Sequence, residues 1–250
     1  TSDPCEDNVL TVRTNGKFHG NNAKTGEVVA QKGFGIAPLL HNNRRAKALV
    51  IGYGTGNTAK ILHDAGFAQL DVVDLSADVF RLANQYFEVL NARVTEQPGV
   101  NPYVTDGRNF LLLTDHRYDV ISMEISSIWF AGAAALYSRD YYALAKTRLN
   151  PGGVLQQWMQ LHHASANDVF YVLGSVRSEF ANVWLYLIGH QGIIVASNDA
   201  EANRHPEHFE TILESKVFSA AAEGNAACLQ AIANRLLLGP KEIDQFLTSP

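Results

Sequence analysis

A glycine-rich turn between an apolar strand and a helix is the feature that most constrains what this chain can fold into. The run 46–51 (AKALVI) is typical of a buried strand, and Gly52, Gly54 and Gly56 follow it directly. Glycines at such a turn let the backbone approach a ligand closely. A dinucleotide-binding turn has its third glycine one position later, where this chain has Asn57. The pattern therefore predicts a ligand-binding turn, and its spacing argues against NAD or NADP.

Strands and helices alternate after this turn. Strands are predicted at 70–73, 102–105, 118–123 and 154–161, and helices at 57–65, 76–90, 139–149 and 168–180. This alternation indicates βαβ units, which predict a doubly wound α/β fold with a mainly parallel sheet. An antiparallel pair at 183–188 and 192–196 follows, and the chain after Pro206 is predicted to be helical.

The N-terminal part has a different pattern. Residues 8–13 alternate in polarity, and Asn15-Gly16 before 17–19 predicts a β-hairpin. A short helix is predicted over 28–40. We therefore expect a hairpin appendage and linker over 1–40, and a ligand-binding domain with a helical C-terminal tail over 41–250.

Composition excludes several classes of function. The net charge is -5 with scattered Lys and Arg residues, so nucleic acid is not an expected partner. The two cysteines have no metal-ligand spacing, so no metal is expected. No apolar run is long enough to span a membrane and no signal peptide is visible, which favours a cytoplasmic location.

Acidic residues stand at the carboxyl ends of three predicted strands, where ligands of open α/β sheets bind. Asp74 can accept hydrogen bonds from both ribose hydroxyls, or it can be an ordinary capping acid. Asp106, followed by Gly107, can accept from an adenine amine or cap the next helix.

Glu124 ends the apolar strand 118–123, where an unpaired carboxylate is costly to bury. It can orient a substrate amine and accept a proton from it. Ser126, Ser127 and Trp129 follow it and are candidate substrate contacts, although Trp129 can equally be a packing residue.

Several motifs, taken in order, resemble the spermidine synthase (polyamine aminopropyltransferase) family. They are 48–56 (ALVIGYGTG), Asp74, 105–107 (TDG), 118–121 (YDVI) and 149–155 (LNPGGVL). The resemblance covers roughly residues 8–197. The runs 124–132 (EISSIWFAG), 136–142 (LYSRDYY) and 236–240 (LLLGP) resemble the bacterial branch that is often fused to membrane segments.

The resemblance implies a seven-stranded Rossmann-like sheet of the class I S-adenosylmethionine-dependent methyltransferase type. It also implies that Glu124 is the acid that accepts the proton of the attacking amine. The cofactor would be held by Gln31, Gly52, Gly54, Gly56, Asp74, Leu75, Asp106 and Gly107. Leu75 would lie against the adenine.

The implied reaction is transfer of an aminopropyl-type group from S-adenosylmethionine, or its decarboxylated form, to an amine. Ala30, Thr55 and Ser127 stand where the family has a tyrosine and two acids. These departures predict that putrescine is a poor acceptor, unless Asp119 or Glu27 replaces the missing carboxylates.

Two alternatives use the same fold. One is a methyltransferase that uses intact S-adenosylmethionine, and the other is a catalytically inactive domain that binds nucleosides or polyamines. The family often dimerises, so a homodimer is expected. The membrane-fused branch implies that a membrane segment outside this chain can tether the domain.

Overall fold

Two sheets and the helices around them make up the described part of the chain. The computed structural model describes residues 9–14, 17–23, 27–125, 132–161, 164–188, 191–200 and 226–248. The strands are β1 (Thr11–Thr14), β2 (Lys17–Asn21), β3 (Lys47–Ile51), β4 (Gln69–Asp74), β5 (Val100–Val104), β6 (Tyr118–Met123), β7 (Leu149–Gln160), β8 (Asn182–Ile188), β9 (Gln191–Ser197) and β10 (Leu236–Leu238). The helices are α1 (Glu27–Leu39), α2 (Asn57–Asp64), α3 (Ala77–Tyr86), α4 (Glu88–Asn91), α5 (Gly107–Leu113), α6 (Arg139–Thr147), α7 (Ala166–Arg177), α8 (Ala226–Ala233) and α9 (Pro240–Thr248).

The large sheet has the strand order β10-β8-β9-β7-β6-β3-β4-β5. The five strands β7, β6, β3, β4 and β5 are mutually parallel, and β9, β8 and β10 add antiparallel pairings at one side. From β3 the chain builds outward through β4 to β5, and then returns to form β6 on the other side of β3. The predicted doubly wound, mainly parallel α/β fold is therefore confirmed, with its switch point between β3 and β6.

Both faces of the sheet are covered, which explains the continuous apolar runs in the central strands. All residues of β6 are buried, as are four of the five residues of β3. One face packs against α1 and α2 through Phe34, Ile36 and Leu62, and the other packs against α6 and α7 through Tyr141 and Leu173.

The sheet has eight strands where seven were expected. Leu236–Leu238, in the C-terminal tail that was predicted to be entirely helical, pairs antiparallel with β8 as β10. Without β10, the outer edge of β8 would present unpaired backbone groups, and pairing satisfies them.

Two element boundaries also differ from the prediction. Residues 150–153 (NPGG) belong to β7, which begins at Leu149. The helix predicted over 76–90 is two helices, because Phe87 leaves the helical conformation with φ -120 and ψ 24.

The predicted N-terminal hairpin is present as the antiparallel pair β1 and β2. Its predicted turn, Asn15-Gly16, lies outside the described residues. Helix α1 buries Ala30, Phe34 and Leu39 in the core of the large sheet. The domain boundary at residue 40 stays a prediction, and α1 packs with the domain that follows it.

Candidate active site

The glycine turn and Glu124 lie side by side at the switch point. Ile51 and Met123 are register partners, and the Glu124 backbone N–H donates to the Ile51 carbonyl at 2.8 Å. Gly52 has φ 93, and a Cβ there would lie 3.2 Å from Ile125 Cδ1 and 3.5 Å from the Glu124 carbonyl carbon. Position 52 therefore needs glycine both for its backbone angle and for the close approach of the two strand ends.

Asp74 connects the end of β4 to the glycine turn. Its Oδ2 accepts from the Tyr53 backbone N–H at 2.9 Å, and its Oδ1 accepts from the Ser76 backbone N–H at 3.1 Å. Leu75, the next residue, is 71% exposed, so its side chain lies open at this edge of the sheet. The expected ribose acid and adenine contact are thus adjacent to the turn.

Gln31 joins the hairpin, α1 and the glycine turn. Its Oε1 accepts from Thr55 Oγ1 at 2.8 Å, and its Nε2 lies 3.5 Å from the Asn21 carbonyl oxygen. A Cβ at Gly20 would lie 3.1 Å from Gln31 Nε2 and 3.1 Å from Thr55 Cγ2. The buried Gln31 side chain therefore fixes the turn beneath strand β2.

Asp106 caps helix α5. Its Oδ1 accepts from the Asn109 backbone N–H at 2.8 Å, so the capping role considered from the sequence is present. Gly107 allows this helix to pack closely on β3, because a Cβ there would collide with Ile51 Cγ2. The structure thus gives both residues structural roles at the carboxyl edge of the sheet, and their contact with a nucleoside stays a prediction.

Glu124 is half-buried at the end of β6. Burial raises its pKa to about 8, hydrogen bonds from Thr58 and Ser122 oppose the increase, and the charge of Glu27 adds to it. Burial also raises the pKa of Glu27 to about 7, against the effect of its hydrogen bond with Gln31. The charge of Glu27 thus contributes to the raised pKa of Glu124, and strongly perturbed pKa values are common at functional sites.

The two acids named as replacements for the missing carboxylates lie at opposite edges of the sheet. Glu27 is near Glu124, whereas Asp119 is at the start of β6. Asp119 Oδ2 accepts from the Ala46 and Lys47 backbone N–H groups at 2.8 and 3.2 Å. The expectation for Asp119 is therefore wrong, because its oxygens hold the amino-terminal edge together.

Arg139, the first residue of α6, pairs with a different acid and not with Glu124. Arg139 Nε donates to Glu179 Oε1 at 2.8 Å, on the outer face of α6.

The predicted substrate contacts Ser126, Ser127 and Trp129 lie outside the described residues. Among the residues that the structure describes, no group of three or more His, Cys, Asp or Glu side chains could hold a metal ion. Within the same residues, no helix combines the length and apolar character needed to cross a membrane.

Sequence reasoning missed three hydroxyl residues around Glu124. Thr58 and Ser122 hydrogen-bond to its carboxylate. Tyr137 Oη lies 2.5 and 2.8 Å from the Ile125 and Trp158 carbonyl oxygens, which share its single proton, and this contact fixes the backbone just after Glu124. The only sequence signal was the polar Ser122 inside an apolar strand.

Comparisons with known proteins agree with this geometry. A family model described as the spermine/spermidine synthase domain matches residues 29–231. A polyamine aminopropyltransferase of Nitrosomonas europaea is 29% identical over 61% of this chain and 46% of its own length. Polyamine aminopropyltransferase 2 of Pseudomonas aeruginosa is 27% identical over 72% of this chain and 54% of its own length. The match thus spans about half the length of these relatives.

Solved structures show the same fold. The spermidine synthase of Thermotoga maritima superposes with a TM-score of 0.72 at 14% identity, over 93% of this chain and 78% of that one. Human methyltransferase-like protein 13, in complex with SAH, gives a TM-score of 0.55 at 18% identity, over 83% of this chain and 90% of that one.

Proposed function

Because the chain belongs to the spermine/spermidine synthase family, we propose that it transfers an aminopropyl group from decarboxylated S-adenosylmethionine to an amine. The observation that carries the proposal is the position of Glu124. Its half-buried carboxylate lies beside the glycine turn, at the switch point where ligands of such sheets bind.

The residues at this edge fit a nucleoside donor. Gly52 has the positive φ that favours glycine and lies beside Glu124 and Ile125, and Asp74 and the open Leu75 side chain lie next to the turn. We assign the ribose hydroxyls to Asp74 and the adenine to Leu75 and the α5 end at Asp106. A sulfonium donor supplies an electrophilic carbon and a neutral thioether leaving group.

The chain's own contribution is to align the amine and remove its proton. The amine's lone pair forms the new N–C bond, the electrons of the breaking C–S bond go to sulfur, and Glu124 accepts the proton that the amine loses. The products are an aminopropylated amine and methylthioadenosine. Burial raises the pKa of Glu124 to about 8, so this acid can take up and release a proton near neutral pH, and the charge of a bound ammonium favours its ionised form.

We further propose that the acceptor is a cationic amine and that putrescine is a poor one. Thr55 supplies no carboxylate, and its hydroxyl donates to Gln31 Oε1. Glu27 is the acid whose charge acts on Glu124, and burial raises the pKa of both carboxyl groups, so together they carry less than two full negative charges near neutral pH for the two ammonium groups of a diamine. An ammonium group is costly to bury without an ionised partner.

Product analysis tests the proposal. The protein is incubated with a panel of mono-, di- and triamines and with either decarboxylated or intact S-adenosylmethionine, and the products are identified by mass spectrometry. We expect methylthioadenosine and an aminopropylated amine. S-adenosylhomocysteine with a methylated acceptor would instead identify a methyltransferase. Binding of both nucleosides without any turnover would favour an inactive binding domain.

A further inference from the structure

Ser122 and Gln156 form a buried polar pair between two otherwise apolar strands. Both side chains have no exposed surface, and the two residues are register partners on β6 and β7. Val120 and Val154, two positions earlier on the same strands, belong to the hydrophobic core. A hydroxyl and an amide in such surroundings are costly unless each group has a hydrogen-bond partner.

The Gln156 amide has one orientation in which both of its ends have partners. In that orientation Oε1 accepts from the backbone N–H groups of Trp158 at 3.1 Å and Gln157 at 3.3 Å, and Nε2 donates to Ser122 Oγ at 2.5 Å. Because Ser122 Oγ accepts this bond, its own proton is available for a different acceptor. Glu124 Oε1 lies 3.4 Å from Ser122 Oγ.

We propose that Ser122, anchored by Gln156, is a positioning residue that directs its hydroxyl proton to the Glu124 carboxylate and holds that carboxylate in place for the acceptor amine. This inference rests on the proposed function, because it takes Glu124 as the base. Ser122 itself does not contact the reacting atoms.

Thr58 is less suited to the same role, because its single hydroxyl proton has two acceptors. Thr58 Oγ1 lies 3.2 Å from the Gln31 carbonyl oxygen and also hydrogen-bonds to Glu124. In the described residues, the neighbours that influence the ionisation of Glu124 are Glu27 on α1, Thr58 on α2 and Ser122 on β6. Ser122 is therefore the donor whose proton is committed to Glu124.

The consequence is a measurable shift in ionisation. A hydrogen bond donated to the carboxylate favours its charged form, so removing it raises the pKa of Glu124 above about 8. Hydrogen bonds to charged groups correspond to roughly one pKa unit, and the 3.4 Å distance between Ser122 Oγ and Glu124 Oε1 makes this an upper value. Since Glu124 must be ionised to act as a base, the rising limb of kcat/KM moves to higher pH by up to about one unit, and activity at pH 8 falls by up to about fivefold.

The experiment compares pH profiles of kcat/KM for the full chain and three variants. Ser122→Ala removes the hydroxyl, Ser122→Thr keeps it, and Ser197→Ala removes another fully buried serine hydroxyl, which donates to the Gly153 carbonyl at the far end of β7. Of these three variants, only Ser122→Ala should show the shift. A fourth variant, Gln156→Met, leaves the Ser122 hydroxyl unanchored and should move the rising limb in the same direction by a smaller amount.

An unchanged inflection in Ser122→Ala would overturn the proposal, and so would an equal shift in Ser197→Ala. If Ser122→Ala does not fold, Gln156→Met replaces it: a rising limb moved to higher pH supports the proposal, and an unchanged limb overturns it. If the wild-type protein transfers no aminopropyl group, the proposed function fails, and the Ser122 bond is then tested by a ¹³C NMR titration of Glu124, assigned with Glu124→Gln. A raised midpoint in Ser122→Ala supports the bond, and an unchanged one overturns it.

Discussion

Asp71 and Glu124 are carboxylates of the same parallel sheet, but they lie at opposite edges and differ in their partners. Asp71, near the amino end of β4, is fully buried and accepts from Tyr118 Oη at 2.8 Å and Asn101 Nδ2 at 3.0 Å, with Lys47 Nζ at 3.0 Å. Burial alone would raise the pKa of Asp71, but these three partners outweigh it and lower the pKa. At Glu124 burial prevails, and the pKa rises to about 8.

The difference lies in the charge that each edge supplies. The amino edge provides a cation, Lys47, whereas the charge that acts on Glu124 is that of another acid, Glu27. A paired and hydrogen-bonded carboxylate stabilises the fold, while one that lacks a cation is ready for a cationic ligand. The comparison indicates that the carboxyl edge holds an acid whose burial lowers stability, which agrees with the proposed role of Glu124 in binding a cationic amine.

Breaking the Asp71 network should have the largest effect on stability. Asp71→Ala leaves Lys47, which is 13% exposed, without its paired carboxylate and the Tyr118 hydroxyl without its acceptor. We expect the free energy of unfolding to fall by about 3–5 kcal/mol in urea denaturation. Asp78→Ala is the control, because Asp78 and Arg81 form an exposed pair, and it should change stability by less than about 1 kcal/mol. Equal effects of the two variants would show that the Asp71 network does not stabilise the amino edge of the sheet.

Asp74 tests the carboxyl edge in a different way. Asp74→Ala should weaken binding of methylthioadenosine by roughly 1–3 kcal/mol in calorimetric titration, because charged hydrogen bonds to the ribose are lost. Asp64→Ala, at the end of α2, removes an acid that pairs with Lys60 and should leave the affinity unchanged. Unchanged affinity of Asp74→Ala for both methylthioadenosine and S-adenosylmethionine would rule out the ribose assignment.

The pH dependence of stability tests the raised pKa of Glu124 separately from its role in binding or turnover. Glu124 has a folded-state pKa of about 8 against an ordinary value of 4.5, so the folded state binds more protons in between. Its contribution therefore lowers stability as pH rises from about 4.5 to 8. Asp71, with a lowered pKa, contributes stability at neutral pH that is lost as pH falls through its folded-state pKa.

Glu124→Gln removes the Glu124 contribution, so its melting temperature relative to the wild type should increase between pH 5 and 8. A difference that stays constant or decreases over this window would mean that the Glu124 pKa is not raised.

The succession of strands and helices along the chain and the position of the turn were predictable because period and glycine spacing are local signals. The same holds for Asp74 and Glu124, since a parallel sheet brings strand ends to one edge. The strand Leu236–Leu238 was not predictable, because a three-residue apolar run becomes a strand only when the β8 edge is available to pair with it. Asp119 and Glu27 were both candidates to replace the missing carboxylates. Which of them lies near Glu124 depends on tertiary packing, which the sequence alone does not give.

The hydroxyl groups around Glu124 illustrate the same limit. Ser122 was visible as a polar residue within an apolar strand, but its partner Gln156 is 34 positions away in the chain. Hydrogen bonds between distant strands follow from register, which the sequence pattern does not specify for two strands buried on both faces.

The most direct test of the account is turnover by Glu124→Gln. The substitution keeps the shape of the side chain and removes its charge, so methylthioadenosine formation on an active acceptor should fall by about 10²–10⁴-fold. Calorimetric affinity for methylthioadenosine should stay close to that of the wild type, because the nucleoside is assigned to Asp74 and its neighbours and not to Glu124. A Glu124→Gln protein with normal stability and normal turnover would contradict the assignment of Glu124 as the base.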